Sequence, residues 1–371
     1  MQQLRVIISG GGTGGHIFPA IAIANALKKR LPDSEILFVG AKDKMEMEKV
    51  PAAGYKIEGL WISGLQRKLT FSNLLFPIKL IASMLKARKI VKSFKPDVAI
   101  GVGGFASGPL LRIATSFGIP AIIQEQNSYP GITNILLSKK VNKICVAYDG
   151  MDKYFPKEKI ILTGNPVRQD ILNLEGKRDR GLELFGLSKD KKILLVIGGS
   201  LGARSINESV QYGLRKFKEN NIQVIWQTGK TYLPIAQEAI KPYVLDGIQA
   251  FDFITKMDYA YAVADMVLSR AGASSVSELC LVKKPAVLVP YPLAAEDHQT
   301  KNAMALVNHK AAMLIKDSDA SSKLINAVIE LMLDDQARLK MSENIARLGM
   351  GDSADVIANE IINLAKRRVN S

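Results

Sequence analysis

Two cysteines, Cys145 and Cys280, are all this chain of 371 residues contains, and they form no CxxC pair. That argues against a disulfide framework and fits a reducing compartment, with both thiols read as buried structural groups. Its three histidines, His16, His298 and His309, are too scattered for a metal cluster. No stretch approaches the ~18 consecutive apolar residues of a transmembrane helix. Leu4–Ser9 is apolar, but Gly10–Gly15 interrupts it too soon for a signal-peptide core. Any membrane contact is therefore expected to be peripheral. One local lack stands out: between Glu58 and Asp97 there is no acidic residue.

The length points to two domains. An almost half hydrophobic composition with few aromatics suits a globular α/β protein. The 50 Lys and Arg against 35 Asp and Glu give a net charge of +15. Such a surface seeks phosphate, nucleic acid or anionic lipid, and charge alone does not choose among them.

The same opening occurs twice. Leu4–Ser9 reads as a buried strand, followed by Gly10–Gly15 and a helix through Pro19–Leu27. Ile193–Ile197 reads as another strand, followed by Gly198–Ala203 and a helix from about Arg204. Strand, glycine loop, helix opens a Rossmann-like unit. Further strand candidates are Ile36–Val39, Val98–Val102, Ala121–Gln124 and Ile144–Val146, then Val224–Gln227, Met266–Leu268 and Ala286–Val289. Their alternation with helical stretches predicts parallel sheets covered on both faces. The polar stretch Gly164–Lys192 reads as the connection between domains, and Ser353–Arg368 as an amphipathic helix.

The first loop contains GxGxxG at Gly10, Gly12 and Gly15, a weak signal alone. Dinucleotide binding also asks for an acidic residue ending the second strand, where Val39-Gly40-Ala41 stands instead. Gly229-Lys230-Thr231 is no P-loop, because the required earlier glycine is Val224. Gly103-Gly104-Phe105-Ala106-Ser107-Gly108-Pro109 and Gln124-Glu125-Gln126-Asn127 also follow strands. In a parallel sheet these loops gather at the carboxyl edge, where ligands bind. In the second half, Gly198–Ala203 suits a diphosphate at a helix start. Glu278, in the run Ser269–Leu279, reads either as a partner for ribose hydroxyls or as a solvated helix carboxylate.

In this order and spacing the motifs resemble the MurG family of UDP-N-acetylglucosamine:lipid I N-acetylglucosaminyltransferases. The resemblance rests on Gly11–His16, Gly103–Pro109, Glu125-Gln126-Asn127, Gly164-Asn165-Pro166-Val167-Arg168, Gly198–Ala203, Ser269–Glu278 and Asp297–Ala303, spanning most of the chain. It implies a GT-B fold, α/β, with two Rossmann-like domains of parallel sheets facing across a cleft. Residues 1–165, joined by a C-terminal helix within 350–371, would form the acceptor and membrane domain, and residues 166–349 the UDP-sugar domain. It also implies a UDP-GlcNAc donor, a lipid I acceptor, an inverting transfer to the MurNAc 4-hydroxyl and a peripheral place on the cytoplasmic face of the cell membrane. By the same likeness Ser200 faces the diphosphate, Glu278 the ribose, the Ile254 backbone the uracil and Gln299 the sugar. Thr13, Gly14, Gly15, Asn127 and Arg168 complete the donor site. Ala273, Ser274, Ser275, Val276 and Ser277 form its helix start, and Gly103, Gly104 and Ser107 meet the acceptor. Gln124 departs from the family, which often has histidine there.

Such a displacement needs a general base for the acceptor hydroxyl. His16 is the first candidate and Glu125 the rival; phosphate binding or helix capping are the other readings of His16. The scheme calls for no cofactor and no metal. A DxD at Asp317 and Asp319 precedes a helical stretch and reads as helix capping. The acid-free span holds Arg67, Lys68, Lys79, Lys86, Arg88, Lys89, Lys92 and Lys95 among Trp61, Leu65, Leu69, Phe71, Leu74, Leu75, Phe76 and Leu80. Trp61–Lys95 is thus expected to meet an anionic membrane surface, the bland alternative being a helix packed on the sheet with a solvated basic face. A different GT-B enzyme, with another nucleotide sugar or a diacylglycerol acceptor, is the second reading. Nucleic-acid binding is the third, and the basic cluster sits in no recognisable RNA or DNA motif, so no nucleic-acid partner is expected.

Overall fold

The computed structural model describes residues 3–64, 75–199 and 201–369. The chain divides into two units, Met1–Arg168 with Gly351–Ser371, and Gln169–Met350. The sequence places the division three residues earlier, at 165. The chain stays with the first unit past that point because Asn165 is buried there, bonded to Gln124 and Gln126.

The first unit carries seven parallel strands: β1 (Arg5–Ser9), β2 (Glu35–Ala41), β3 (Lys56–Leu60), β4 (Val98–Gly101), β5 (Ala121–Glu125), β6 (Lys143–Val146) and β7 (Ile160–Leu162), in the order β3-β2-β1-β4-β5-β6-β7. Strand alternation sends successive side chains to opposite faces. Val6 and Ile8 of β1 join a core with the helix Gly14–Arg30 and the final helix Ser353–Val369. Ile7 joins the opposite core, with the helices Phe76–Phe94 and Ser107–Ser116. Both layers must be covered because β1 is apolar on both sides, as parallel strands are. The final helix contributes Ile357 and Ile361, each fully buried. Arg30 anchors its outer side through Asp355 at 2.8 Å and Asn359. Burying such aliphatic side chains stabilises by about 1.5–3 kcal/mol each.

The second unit carries six parallel strands: β8 (Lys192–Ile197), β9 (Ile222–Gln227), β10 (Ile248–Phe251), β11 (Met266–Ser269), β12 (Ala286–Leu288) and β13 (Met313–Leu314), in the order β10-β9-β8-β11-β12-β13. The two sheets define a GT-B fold with two Rossmann-like domains. Four strands were not legible in the sequence: β3, β7, β10 and β13. They are the four sheet edges. Each offers little to read: β7 and β13 are only three and two residues long, and Lys56, Glu58 and Gln249 interrupt the apolar residues of β3 and β10. In β3, for example, Lys56 and Glu58 face solvent and only Gly59 and Leu60 are buried.

Candidate active site

In each sheet the strand order reverses once, at the β1–β4 pair and at the β8–β11 pair. Such a switch point opens a crevice at the carboxyl ends of the strands. Loop 10–16 follows β1 and loop 102–107 follows β4. Loop 198–203 follows β8 and the run 270–277 follows β11. The fold therefore brings the glycine loops of each half to that half's crevice.

In the first unit Thr13 caps the helix Gly14–Arg30 with extended backbone, leaving Gly14 and Gly15 in its first turn. His16 is half-buried behind them. Its Nδ1 lies 3.0 Å from the carbonyl oxygen of Gly11 and 3.4 Å from Oγ1 of Thr13. A carbonyl only accepts, so Nδ1 carries the hydrogen and the neutral ring has its lone pair on Nε2. The loop after β4 packs directly on this group. A Cβ on Gly103 would fall 2.6 Å from the His16 ring, and one on Gly104 2.4 Å from the Gly11 carbonyl oxygen. Both glycines also have positive φ, so close approach and backbone conformation demand glycine together. Ser107 is fully buried, its hydroxyl directed to the carbonyls of Ser9 and Gly103. Its hydroxyl thereby ties the two loops together.

Glu125 ends β5 and is 2% exposed. Its Oε1 accepts from the backbone N–H of Asn127 at 3.0 Å and from Nδ2 of Asn127 at 3.2 Å. Its Oε2 accepts from Asn134 Nδ2 at 2.8 Å and from the Gly131 N–H at 3.1 Å. Burial pushes this carboxyl above the usual carboxylate range, while the bonds from Asn127, Asn134 and Gly131 pull it back. Both oxygens are engaged in shaping the turn that presents Asn127. Gln124, where the resembling family often has histidine, is fully buried and donates to Asn165 Oδ1 at 2.8 Å. Gln126 donates to the Val102 carbonyl at 2.7 Å, so this turn also leans on the loop after β4. Arg168 lies exposed at the end of the first unit.

In the second unit Ser200 lies outside the described residues. Around it, Gln227 Nε2 donates to the Gly199 carbonyl at 3.1 Å, and Asn207 Nδ2 to the Thr228 carbonyl at 2.8 Å. A Cβ on Gly202 would fall 2.0 Å from that same Thr228 oxygen. Gly272 precedes the helix Ala273–Val282 in extended conformation, so Ala273, Ser274 and Ser275 supply its first-turn N–H groups, followed by Val276 and Ser277. Val276 points into the core at 1% exposure. Glu278 sits further along the helix, its Oε2 accepting from the buried Tyr261 hydroxyl at 2.9 Å. The Ile254 N–H donates to Gln227 Oε1 at 2.9 Å and is thus engaged within the protein. Gln299 Oε1 accepts from the Tyr291 N–H at 2.9 Å.

Asp319 stands at the N-cap position of the helical turn Ala320–Leu324, as expected, but neither carboxylate of the DxD pair makes a side-chain capping bond there. Asp317 Oδ1 takes Arg270 Nη1 and the Ser205 hydroxyl, each at 2.5 Å, and Asp319 takes Lys323 at 3.0 Å. Ion pairing with Arg270 engages the Asp317 carboxylate, and pairing with Lys323 the Asp319 carboxylate. Cys145 and Cys280 are buried thiols pushed up to about 12 by that burial, and neither is a nucleophile at neutral pH.

Residues that the sequence reading did not single out include Glu46, Asn134, Tyr261 and Arg270. Asn134 had a signal: it is a polar residue on the buried face of an apolar helix, Ile132–Ser138. Glu46 had none, since it lies in a charged run that reads as solvated surface.

The helix Phe76–Phe94 shows a mixed outer face. Ile78, Ile81 and Leu85 are 56%, 61% and 65% exposed, and Arg88 and Lys89 continue that face. Lys79 and Lys86 turn back onto the protein, to Ser63 Oγ and to Glu58 with the Gly59 carbonyl. Arg88 and Lys92 lie over the Phe117 ring. Leu65, Arg67, Lys68, Leu69, Phe71 and Leu74 fall outside the described residues. Among the described residues no helix is long and apolar enough to cross a membrane.

A glycine loop that opens a helix at the switch point of each sheet is the arrangement nucleotide-sugar transferases use for phosphate groups, and the comparisons point to that class. The glycosyltransferase family 28 N-terminal domain matches residues 6–146 and its C-terminal domain residues 193–357. The chain belongs to glycosyltransferase family 28. It is 56% identical, over 99% of its length and 100% of the relative's, to the UDP-N-acetylglucosamine--N-acetylmuramyl-(pentapeptide) pyrophosphoryl-undecaprenol N-acetylglucosamine transferase of Parabacteroides distasonis. The protein of the same name from Flavobacterium psychrophilum is 54% identical over 99% of each chain. Among solved structures, MurG of Acinetobacter baumannii superposes with a TM-score of 0.79 at 26% identity, over 97% of this chain and 99% of the other.

Proposed function

We infer that the chain transfers N-acetylglucosamine from UDP-N-acetylglucosamine to the MurNAc 4-hydroxyl of undecaprenyl-pyrophosphoryl-MurNAc-pentapeptide, giving the disaccharide-bearing lipid of peptidoglycan synthesis. High identity over nearly the whole chain to relatives of that name supports donor and acceptor together. The chemistry is an inverting displacement. The acceptor oxygen attacks the anomeric carbon, its proton passes to a base, and the anomeric C–O bond breaks so that UDP leaves with the electron pair.

His16 is the base in this reading, taking the proton on Nε2. The observation that carries it is the Nδ1 bond to Gly11, which fixes the lone pair on the other nitrogen. Glu125, with both oxygens bonded by four N–H groups, instead shapes the turn that holds Asn127. Gly14 and Gly15 offer helix-start N–H groups, and Thr13 and Arg168 add polar contacts to the donor. The loop at Ser200 and the helix start Ala273–Ser277 take the diphosphate, where amide donors stabilise the charge that develops on leaving. Glu278, oriented by Tyr261, takes the ribose. Ile254 takes the uracil and Gln299 the sugar. Gly103 and Gly104 bring the backbone close to the acceptor.

The outer face of Phe76–Phe94 meets an anionic bilayer on the cytoplasmic side. Exposed aliphatics enter the interface, and each neighbouring Lys or Arg adds about 1 kcal/mol.

The test is single-turnover transfer of labelled sugar to a synthetic acceptor lipid, comparing UDP-N-acetylglucosamine with UDP-glucose, with and without chelator. Selective transfer from UDP-N-acetylglucosamine, undiminished by chelator, is expected. Tight UDP binding with no transfer would move the function to another acceptor.

A further inference from the structure

One peptide group in the first loop is bonded by side chains at both ends. The carbonyl oxygen of Gly11 accepts from His16 Nδ1 at 3.0 Å. The N–H of Gly12, on the same peptide unit, donates to Oε2 of Glu46 at 2.9 Å. Glu46 has no exposed surface, and its Oε1 accepts from the Ala41 N–H at 2.9 Å, at the end of β2. The sequence around it makes room. A Cβ on Gly11 would fall 2.1 Å from Glu46 Oε1, and one on Gly40 2.5 Å from Glu46 Cγ. This buried carboxylate has no part in the transfer chemistry described above.

We propose that Glu46 is a positioning residue for the transfer reaction, acting on His16 through the Gly11–Gly12 peptide. The proposal rests on the reading of His16 as the base. A trans peptide points its N–H and C=O in opposite directions, so one plane can carry a bond from one side chain to the other. A carboxylate that accepts from the N–H polarises the amide and makes its carbonyl oxygen a stronger acceptor. That oxygen then holds the hydrogen on Nδ1, keeps the lone pair on Nε2 and stabilises the imidazolium formed when Nε2 takes the acceptor's proton. A carboxylate bonded directly to a catalytic histidine does the same work. Here one peptide group stands between them. Burial away from water keeps the coupling strong.

The arrangement also explains why the carboxylate near the end of β2 serves no dinucleotide. Both of its oxygens face backbone N–H groups.

The first test uses the unaltered full chain. Nitrogen-15 spectra of labelled histidine contain three residues, and His16→Ala assigns the one of interest. At a pH where the ring is neutral, His16 is expected as the Nδ1–H tautomer; an Nε2–H tautomer overturns the proposal. The second test is Glu46→Gln, whose amide can accept only one of the two N–H bonds. The expected result is a kcat reduced on the order of 10- to 100-fold, as for other small losses of alignment. KM for UDP-N-acetylglucosamine should stay within about twofold, since positioning of the base does not alter donor binding. In a His16→Ala background the same change should leave the residual rate as it was. Equal losses in both backgrounds would make Glu46 purely structural and overturn the proposal. Full activity of His16→Ala alone would instead remove the base assignment, a result distinct from any failure of Glu46→Gln. If Glu46→Gln does not fold, the tautomer of the unaltered protein still decides.

Discussion

The two units open alike and brace their glycine loops differently. Beneath Gly10–Gly15 lies a buried carboxylate, Glu46, bonded to the Gly12 N–H. Beneath Gly198–Gly202 lie neutral groups: Gln227 on the Gly199 carbonyl, and Asn207, whose Oδ1 accepts from Trp226 Nε1, on the Thr228 carbonyl. The difference suits what each loop meets in the proposed reading. A loop that presents a histidine to a hydroxyl gains from nearby negative charge, which stabilises the protonated ring. A loop that receives a diphosphate would be weakened by it, because like charges repel across a low-dielectric interior. In the proposed reading the same supersecondary unit carries the base in one half and the main diphosphate contacts in the other, and the side chain beneath each loop, Glu46 or Gln227, suits that role.

This comparison can be broken in four places. The largest effect is expected at His16. His16→Ala should lower the single-turnover rate by roughly 100- to 10,000-fold, the usual range for a lost general base, with UDP affinity unchanged by calorimetry. Next is the membrane face, which belongs to the first unit. Arg88→Glu with Lys89→Glu should weaken binding to anionic vesicles by roughly 30-fold or more, from about 1 kcal/mol per charge removed. Unchanged vesicle binding would assign that face to another partner. Smaller again is Gln227→Glu. It keeps the acceptor for the Ile254 N–H and adds a charge beneath the second loop. UDP affinity should fall about tenfold, corresponding to about 1.4 kcal/mol, and the loss should shrink at high salt.

The smallest concerns stability in the second unit. Burial lowers the Lys284 ammonium from 10.5 to about 8, while Nζ donates to the Ala264 carbonyl. A depressed lysine leaves the folded state with fewer bound protons than the unfolded chain between pH 8 and 10.5. Stability therefore rises with pH across that window. Denaturation of the parent chain and of Lys284→Met should show the parent gaining relative stability over that window, and a constant difference would contradict the assignment.

How much of this was legible beforehand depends on burial. Strands covered on both faces announce themselves as apolar runs, so the nine inner strands could be read. The edge strands could not: β7 and β13 are three and two residues long, and polar residues interrupt the apolar ones of β3 and β10. The placement of the glycine loops after strands was legible, and so was that of His16 behind the first. What could not be read were side chains that reach a loop from elsewhere in the fold. Glu46 reaches the first loop from a different helix, and Tyr261 reaches Glu278 from the preceding helix, Met257–Val263. The partners of Ser107 were hidden for the complementary reason. A serine in a glycine loop looks exposed in the sequence, while its hydroxyl is buried against Ser9 and Gly103.

The division of labour between the loops is tested most directly by measuring UDP affinity and saturated single-turnover rate side by side in His16→Ala and Gln227→Glu. The account predicts that His16→Ala loses rate and keeps affinity, whereas Gln227→Glu loses affinity and keeps the saturated rate. Both variants losing both quantities, or each losing the other's, would contradict it.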